Sequence, residues 1–457
     1  MSENADLEIK AGWVLPVHPD PTVSLENHSI LIKDEKILDI LPTAAAADKY
    51  SPATVIDRTS SIVMPGLINA HTHTGMTLMR GRADDLPLLK WLHDVVWPIE
   101  GAFASKEEFC EDGAMLAAAE MIRGGITCFS DMYWYPAAAA RVTVRTGMRA
   151  VIGMVLIEYP SAYAKGVDEY IAKGHDIMQQ FQGEDRITFS YAPHAPYTVA
   201  TETWKKLGEL SQKNGVFIHT HLHETREECS ASCVLDRSHP ACHLSENECH
   251  PVEDFRRMGL LSSKLVAAHM VHMTDEEIQL CAEKGVNIAH CPSSNSKLAS
   301  GFCPVHKFLK AGINVALGTD SACSNNSLSL LEEMKLTALN TKNLAGDATA
   351  LPAYTAIQMA TFNGAKAFGL EDVTGSLEVG KAADIISIDV HTHAGNSPMF
   401  DAHSAVVYAA AREDVNDVMV NGKFLLKEGT HCTVDIGDTL KRMSHWRSKI
   451  MEEFPQK

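Results

Sequence analysis

The 457-residue sequence lacks the long apolar segments that would direct it into a membrane. Its first ten residues, MSENADLEIK, are polar and contain no apolar core of a secretory signal. Further along the chain, the apolar runs are short and are interrupted by charge or glycine. They predict no transmembrane helix, and we expect no membrane partner.

Positive charge is also scarce. The 40 Lys and Arg residues are outnumbered by 58 Asp and Glu residues, which gives a formal net charge of −18. Nucleic acids and anionic membranes are bound by basic surfaces, so the charge argues against both partners. No apolar run is followed by GxGxxG or by GxxxxGKS/T, so a nucleotide-phosphate loop is not predicted. A protein that acts on small molecules fits these absences.

The eleven cysteines are not accompanied by a secretory signal. They predict reduced thiols and a cytoplasmic location rather than a disulfide framework. Hydrophobic residues make up 45% of the chain, which is enough for a substantial core, and no low-complexity tract indicates disorder.

Two patterns divide the chain. Residues 1–65 are short segments of alternating apolar and polar residues, typical of half-buried antiparallel strands. From Gly66 onward, short and nearly continuous apolar runs alternate with helical patterns. Eight such runs indicate a (β/α)8 TIM-type barrel of class α/β, with an open doubly wound sheet as the alternative. The runs are 66–71, 125–132, 149–156, 187–194, 216–223, 265–272, 286–292 and 314–321.

After the barrel, residues 375–389 and 413–429 return to short strands like those of the opening segment. The economical interpretation is a small β-sandwich domain formed by both chain ends. We expect residues 1–65 to form its first half and residues 66–374 to form the barrel. Residues 375–457 would supply the second half and a C-terminal helix that packs on the outside.

Side chains that can bind metals collect at the C-terminal ends of the eight runs, where barrel active sites lie. His71 and His73 are two residues apart, so they share one face of a strand and can give two ligands to one ion. Buried ionisable groups need a partner, and a metal ion provides one. The other strand-end residues of this kind are His194, His221, His223, Glu224, His269, His272, His290 and Asp320.

Four stretches carry a family resemblance: PGLINAHTH, HLHETREE, AAHMVHM and LGTDSACSNNSLSLLEEM, in this order. They resemble the amidohydrolase superfamily and are most similar to its deaminase/chlorohydrolase branch, typified by 5-methylthioadenosine/S-adenosylhomocysteine deaminases. The resemblance extends over nearly the whole chain. It implies a metal-dependent hydrolase that deaminates an adenine nucleoside.

The resemblance also implies a ligand set. Spacing alone leaves strand 5 of the barrel open, because three of its histidines share one face. The family's His-x-x-Glu arrangement selects His221 together with Glu224. His219 is then expected one pleat deeper, in a packing or supporting role, and His223 is expected to be incidental. The metal ligands would be His71, His73, His221 and Asp320.

The number of metal ions follows from strand 4 of the barrel. Binuclear relatives carry a bridging carbamylated lysine there, whereas this chain has APHAP. We therefore expect one metal ion per subunit. Three imidazoles and one carboxylate suit Zn²⁺, with Fe²⁺ as the alternative.

The implied mechanism is attack by water on a ring carbon that bears an amine. A divalent ion with an open position lowers the pKa of its bound water to about 7. His269 and Asp320 are expected to take or orient the water's proton. Glu224 is expected to protonate the ring nitrogen and assist the departure of ammonia. Glu227 and Glu228 are expected to be solvated surface carboxylates.

Besides Glu224, two residues are candidates for binding the substrate. WLHDVVWPIE resembles the segment that carries a ribose-binding glutamate, so Glu100 is expected to accept the sugar hydroxyls, with a helix N-terminal charge as the alternative. His194 is expected to hydrogen-bond the substrate. Some relatives that accept S-adenosylhomocysteine have arginines just after strand 3, where this chain has MVLIEYPSAY. That departure favours 5′-methylthioadenosine over S-adenosylhomocysteine, with adenosine as another poorer substrate.

Other functions fit the same residues. The site could deaminate a guanine-type base, a pterin or an s-triazine, or remove chloride from such a ring, since all these reactions use hydroxide. A non-catalytic scaffold is a remote alternative, against which the complete ligand set argues. We also expect a homo-oligomer, either a dimer or a tetramer.

Two histidine-rich features are left over. His391 and His393 repeat the His-Thr-His pattern, but they follow a strand of the small domain and are interpreted as unrelated to the site. Residues 229–250 are rich in Cys and His. The preferred interpretation is an active-site lid with free thiols, and a second, structural zinc is the alternative.

Overall fold

The computed structural model describes residues 3–226, 228, 251–391 and 394–455, whose strands form two eight-stranded sheets. One sheet contains the strands in the middle of the chain, and the other contains strands from both chain ends. Within the described ranges, no helix combines the length and the apolar character needed to cross a bilayer.

The middle sheet is the predicted barrel. Its strands β5 to β12 pair in parallel in chain order, and each of the eight predicted runs overlaps one of them. All residues of β5, β6 and β7 are buried, as expected for strands covered on both faces. The strands are β5 (Leu67–Thr72), β6 (Ile126–Asp131), β7 (Arg149–Leu156), β8 (Ile187–Pro193), β9 (Phe217–Leu222), β10 (Leu265–His269), β11 (Asn287–His290) and β12 (Asn314–Leu317).

Contacts between the last strand and the first close the barrel. The backbone N–H of Asp320 donates to the carbonyl of His71 at 2.9 Å, and Asn69 exchanges hydrogen bonds with Thr319 at 2.8 and 3.0 Å. Gly318 lies against His71 so closely that a Cβ there would be 2.8 Å from the His71 Cβ. The seam therefore needs a residue without a side chain at this point.

The sheet from the chain ends has the order β16-β15-β14-β13-β4-β1-β2-β3. β1 pairs with β4 in parallel, whereas the other neighbours are antiparallel. β13 lies beside β4, which joins the two halves of the chain. The strands are β1 (Glu3–Val14), β2 (Leu25–Lys33), β3 (Lys36–Pro42), β4 (Tyr50–Pro65), β13 (Ile385–Asp389), β14 (Val415–Val420), β15 (Lys423–Lys427) and β16 (Thr430–His431).

We propose the division into residues 1–65, 66–374 and 375–457 as the domain organisation. It is supported by the end of β4 at Pro65, immediately before the barrel begins at Leu67. Arg149 of the barrel reaches across to Asp384 just before β13, with Nε at 3.0 Å from Oδ2. Both side chains are buried, so this ion pair joins the barrel to the small sheet.

Helices cover the barrel and the chain ends. The α-helices are Thr43–Lys49, Leu88–Trp91, Trp97–Phe103, Glu107–Arg123, Pro136–Thr146, Val167–Gln180, Thr201–Asn214, Pro251–Arg257, Asp275–Lys284, Pro292–Lys297, Val305–Lys310, Leu330–Ala345, Ala353–Met359, Phe362–Ala367, Ala402–Ser404 and Ile436–Glu453. The 3₁₀ segments are Thr74–Met79, Pro196–Thr198, Ala394–Asn396 and Arg412–Asp414, and the π segments are Leu92–Val96 and Ala405–Ala409.

Two helical features bear on the sequence patterns. The helical pattern over 353–368 is interrupted near Thr361, because the carbonyl of Ala360 accepts a hydrogen bond at 2.8 Å from the N–H of Ile68 in β5. The C-terminal helix packs on Glu107–Arg123, where the indole N–H of Trp446 donates to Asp112 at 2.8 Å.

Candidate metal centre

A cavity of about 960 Å³ opens at the C-terminal ends of the barrel strands. Seven of the eight residues predicted to form the site line it. His71, the eighth, lies directly below, fully buried in β5. The seven that line the cavity are His73, Glu100, His194, His221, Glu224, His269 and Asp320.

A chain of hydrogen bonds orients His71. Its Nδ1 lies 2.9 Å from Nε2 of His219, and Nδ1 of His219 lies 3.1 Å from the hydroxyl of Ser130. Burial lowers the pKa of His71 to about 4, so the ring is neutral. If Nε2 of His71 is to bind a metal, Nδ1 must carry the proton and donate it to His219. The position of His219, one pleat deeper than His221, agrees with its expected supporting role.

Backbone carbonyls orient the next two histidines. Nδ1 of His73 donates to the carbonyl of Met132 at 2.5 Å. Nδ1 of His221 donates to the carbonyl of His194 at 2.6 Å, and the backbone N–H of His221 donates to the same carbonyl at 3.1 Å. In both rings the Nδ1 proton is committed, so Nε2 keeps a lone pair for a metal.

Asp320 faces the histidines with one oxygen and the protein with the other. Its Oδ1 lies 3.5 Å from Nε2 of His71 and 3.2 Å from Nε2 of His73. Its Oδ2 accepts hydrogen bonds from Ser294 at 2.6 Å and from Ser324 at 2.9 Å. Burial would raise the pKa of Asp320, but contacts with the imidazoles of His71 and His73 outweigh burial and hold the pKa well below its usual range.

These donors fit one metal ion. Ligand atoms about 2.0 to 2.1 Å from a tetrahedral zinc lie roughly 3.3 Å from one another. Nε2 of His73 is 3.1 Å from Nε2 of His221, and the two distances to Asp320 are 3.2 and 3.5 Å. Nε2 of His71 is buried without a hydrogen-bond partner in the described protein. A cation would satisfy this nitrogen.

His269 is also close to the donor set. Candidate ligand atoms of His71, His221, His269 and Asp320 all lie within 4.8 Å of one another. The structure therefore brings five donors together, the four predicted ligands and His269. His269 is the last residue of β10, where it pairs with Leu222 of β9, and its positive φ of 74° turns the chain at the strand end that faces the cavity.

Glu224 lies opposite His269, with Oε2 at 3.9 Å from Nε2 of His269. Burial raises the pKa of Glu224 above its ordinary value of 4.5, although the neighbouring His269 opposes that shift. A buried carboxyl with a raised pKa keeps its proton to a higher pH than an exposed one, which suits a proton donor.

The expectation that Glu228 is a solvated carboxylate is wrong. Glu228 is only 3% exposed. Its carboxylate accepts the backbone N–H of His223 at 3.0 Å and that of Glu224 at 2.8 Å. His223 has a φ of 54°, so two successive N–H groups point toward one anion, as in a backbone nest. Glu227 lies outside the described residues.

His223 is not incidental either. It is 1% exposed, and its Nε2 lies 3.5 Å from Glu277 and 3.4 Å from the backbone nitrogen of Val252. The single-face rule for strands fails here because His223 follows the end of β9 and adopts a left-handed conformation.

The two predicted substrate residues lie on the cavity wall. Glu100 belongs to the helix Trp97–Phe103, and burial raises its pKa to about 7, although an interaction with Tyr133 opposes that shift. His194 follows β8, and its Nδ1 lies 3.0 Å from the hydroxyl of Thr198. Burial lowers the pKa of His194 to about 3, so its ring is neutral.

The rest of the cavity wall is largely apolar. The described residues that line it include no lysine or arginine. The segment after β7, where some relatives carry arginines, contributes Ile157, Tyr159 and Tyr163 to the lining. An anionic group on a ligand would therefore meet no cation from the described part of this wall.

Several histidines predicted near strand ends do not reach the cavity. His272 points its Nε2 at the carbonyl of Ser300 at 2.7 Å, and His290 is buried as the last residue of β11. His391 packs near Trp13 of β1, with ring centroids 5.4 Å apart. His393 and the Cys/His-rich residues 229–250 lie outside the described residues.

Sequence reasoning also missed several supporting residues. Ser294 contacts Oδ2 of Asp320, and Asn295 contacts Nδ1 of His269. Ser130 contacts Nδ1 of His219. A signal was present for two of them. The polar run SSN follows strand 7 of the barrel directly, at the end where active-site residues gather.

Comparisons with known proteins agree with this architecture. Residues 62–425 match the model of the amidohydrolase family. The chain is 40% identical over 449 residues to a 5-methylthioadenosine/S-adenosylhomocysteine deaminase of Saccharophagus degradans, covering 98% of each chain. It is 41% identical over 427 residues to a 5′-deoxyadenosine deaminase of Methanosarcina barkeri, covering 93% of each.

A solved structure gives the same result. The crystal structure of an adenosine deaminase from Xanthomonas campestris with bound zinc superimposes with a TM-score of 0.94. The two chains are 40% identical, and the match covers 99% of this chain and 100% of the other. The chain belongs to the amidohydrolase family, whose members are metal-dependent hydrolases. The resemblance found in the sequence is confirmed.

Proposed function

We propose that this protein is a metal-dependent hydrolytic deaminase of adenine nucleosides, with 5′-methylthioadenosine as its best substrate. The observation that carries the proposal is the placement of Glu224 and His269 beside the metal donors at the inner end of an apolar cavity. The deaminase names of the relatives support the same reaction.

We assign the metal site to His71, His73, His221 and Asp320. A divalent ion held there would supply a hydroxide equivalent at neutral pH, because it lowers the pKa of water. Zinc is the proposed ion, since three imidazoles and one carboxylate suit it, and iron(II) is the alternative. The zinc in the Xanthomonas campestris structure supports this choice.

The acid–base roles follow from the protein's own groups. Nε2 of His269 is buried without a described hydrogen-bond partner and can accept the proton that the attacking water loses. Glu224 can donate its proton to the ring nitrogen next to the carbon under attack. A new C–O bond forms in the attack. His269 then gives its proton to the exocyclic amine, Glu224 takes up the proton of the new hydroxyl as the C=O bond forms, and the exocyclic C–N bond breaks. Water is consumed, and ammonia and an inosine analogue are released.

The remaining contacts hold the nucleoside. We assign the sugar hydroxyls to Glu100 because a carboxylate accepts two vicinal O–H donors. His194, neutral and on the cavity wall, is assigned to the purine. The apolar wall near Ile157 suits a methylthio group, because an amino-acid carboxylate buried there would lack a cation from the described residues.

A substrate panel tests this function. Ammonia release is measured with 5′-methylthioadenosine, adenosine and S-adenosylhomocysteine, and with guanine, a pterin and an amino-s-triazine. We expect the highest kcat/KM for 5′-methylthioadenosine. Turnover of a non-nucleoside ring alone would refute the adenine nucleoside proposal, and a clear preference for S-adenosylhomocysteine would refute the choice of 5′ group.

Assembly and location are also proposed. Leu339 and Leu344 lie exposed on the helix Leu330–Ala345, a barrel helix that can take part in a homodimer or tetramer. Light scattering of the purified protein measures the mass. A cytoplasmic location is supported by the described cysteines, all of which are free thiols and most of which are buried. Localisation of a tagged chain by cell fractionation tests it.

A further inference from the structure

The helix Pro292–Lys297 follows β11 and lies behind the residues that face the metal site. Ser294 and Asn295 in this helix are 0% and 2% exposed. Neither is among the described residues that line the cavity. Buried polar atoms need hydrogen-bond partners, and the Ser294 hydroxyl and the Asn295 Oδ1 find theirs on Asp320 and His269.

Asn295 sets the tautomer of His269. Its Oδ1 lies 2.8 Å from Nδ1 of His269, so Nδ1 carries the proton and donates it. Nε2 of His269 is then left with a lone pair on the side that faces Glu224. A neutral imidazole has only one N–H, so the partner of one nitrogen decides what the other can do.

Ser294 sets the orientation of Asp320. Its hydroxyl donates to Oδ2 at 2.6 Å, and Ser324 donates to the same oxygen at 2.9 Å. With Oδ2 occupied, Oδ1 is the oxygen that faces His71 and His73. Two donors on one oxygen prevent the carboxylate from rotating.

The helix itself is anchored to the barrel. The buried carboxylate of Glu333 accepts the backbone N–H of Ser293 at 3.1 Å and the side-chain N–H of Asn325 at 2.8 Å. Asn325 in turn donates to the carbonyl of Thr319, next to Asp320. The helix and the Asp320 loop are therefore fixed to the same carboxylate.

We propose that Pro292–Lys297 is a positioning element in which Asn295 orients His269 and Ser294, with Ser324, orients Asp320. The inference rests on the proposed deaminase function. It extends that function to residues that touch neither substrate nor metal.

The first test uses Asn295→Leu, which has a similar volume but no acceptor, and Asn295→Asp, which keeps the acceptor. We expect Asn295→Leu to lower kcat by about 10- to 100-fold, the range seen for groups that support active-site ligands, with KM within about twofold. The kcat of Asn295→Asp should be at least about tenfold higher than that of Asn295→Leu. A merely structural role predicts the reverse order, because a buried carboxylate disturbs packing more than leucine does.

The second test reads metal retention without any substrate. Wild type, Ser294→Ala and the double variant Ser294→Ala/Ser324→Ala are loaded with zinc and titrated with a chelator. We expect the double variant to bind zinc about 10- to 100-fold more weakly than wild type and the single variant to lie between. Ser296→Ala is the matched control, because its hydroxyl donates to the Pro292 carbonyl of the same helix and contacts no proposed metal ligand among the described residues.

The outcomes separate the two proposals. Wild type that deaminates no nucleoside refutes the function, whereas the zinc titration still tests Ser294. If wild type is active, two results overturn the role of Asn295. One is a kcat of Asn295→Leu within threefold of wild type, and the other is a kcat of Asn295→Asp no higher than that of Asn295→Leu. Unchanged zinc affinity in the double variant overturns the role of Ser294. If Asn295→Leu does not fold, Asn295→Ala is measured under the same expectations.

Discussion

The backbone N–H of Asp320 donates to the carbonyl of His71 at 2.9 Å, so the bond that closes the barrel also joins two proposed metal ligands. Because this bond lies on the seam between β12 and β5, a disturbance of the seam also disturbs the metal site. Gly318 allows the close approach, since no side chain separates it from His71.

Gly318→Ala tests this coupling. A Cβ at this position would lie 2.8 to 3.0 Å from the Cβ, N and O atoms of His71, so backbone atoms must shift. We expect a stability loss of about 1 to 3 kcal/mol, typical of overpacking, together with reduced zinc content after purification. Gly166→Ala is the control, because a Cβ there meets nothing within 4 Å. Full zinc content in Gly318→Ala would contradict the coupling.

Glu224→Gln tests the acid–base assignment. The amide keeps the shape of the side chain but cannot transfer a proton. We expect zinc content to be retained and kcat to fall at least about 10²-fold, the scale of acid–base catalysis. Zinc is measured by elemental analysis and turnover by ammonia release. Near-normal turnover in this variant would remove the role assigned to Glu224.

Glu228→Gln tests the backbone nest. A glutamine offers one oxygen where two N–H groups need acceptors, so one N–H of His223 or Glu224 loses its partner. An unsatisfied buried donor costs about 1 to 3 kcal/mol, and we expect a lower melting temperature with a reduced kcat. Glu202→Gln, at an exposed site, is the control. Wild-type values in Glu228→Gln would show that the nest does not position Glu224.

The buried carboxyl of Glu333 predicts a dependence of stability on pH. Burial raises its pKa to about 7, so folding favours the protonated form. The contribution of Glu333 to the free energy of unfolding is roughly 3 kcal/mol. It is fully present below about pH 4.5 and is lost as the pH rises through about 7. The melting temperature should fall more from pH 5 to pH 8 in wild type than it does in Glu333→Gln. The exposed neighbour Glu332→Gln should behave as wild type.

Ile157→Arg tests the choice of 5′ group. A guanidinium on the apolar wall would offer a charged partner to the amino-acid carboxylate of S-adenosylhomocysteine. We expect the ratio of kcat/KM for S-adenosylhomocysteine over 5′-methylthioadenosine to rise at least about tenfold, since charge-assisted hydrogen bonds contribute about 1.5 to 3 kcal/mol. Ile157→Gln controls for polarity without charge. An unchanged ratio would indicate that this wall does not contact the 5′ group.

The barrel could be predicted because each strand is buried on both faces and leaves a nearly continuous apolar run in the sequence. The main site residues could also be identified at the ends of those runs, since a polar residue is conspicuous after an apolar strand. The parallel pairing of β1 with β4 could not be predicted in the same way. Alternation reveals a half-buried strand but does not reveal the direction of its neighbour.

The supporting residues could not be identified from the sequence for a different reason. Glu228 lies in a run of charged residues, and a charged run is usually solvated. Only the left-handed turn at His223 brings the carboxylate of Glu228 within hydrogen-bonding distance of two backbone N–H groups. Ser294 and Asn295 likewise acquire their roles from the approach of β10 and the Asp320 loop, which are separate in the sequence.

The small sheet has a consequence for synthesis on the ribosome. β4 is made before the barrel, but its neighbour β13 is made after it, and Pro65 pairs with Ile385. Until the second half of the small sheet emerges, one edge of β4 has no strand to pair with, and unpaired edges invite association with other chains. A nascent chain that stalls before Ile385 would carry that open edge, so the order of translation makes the C-terminal strands a safeguard against aggregation.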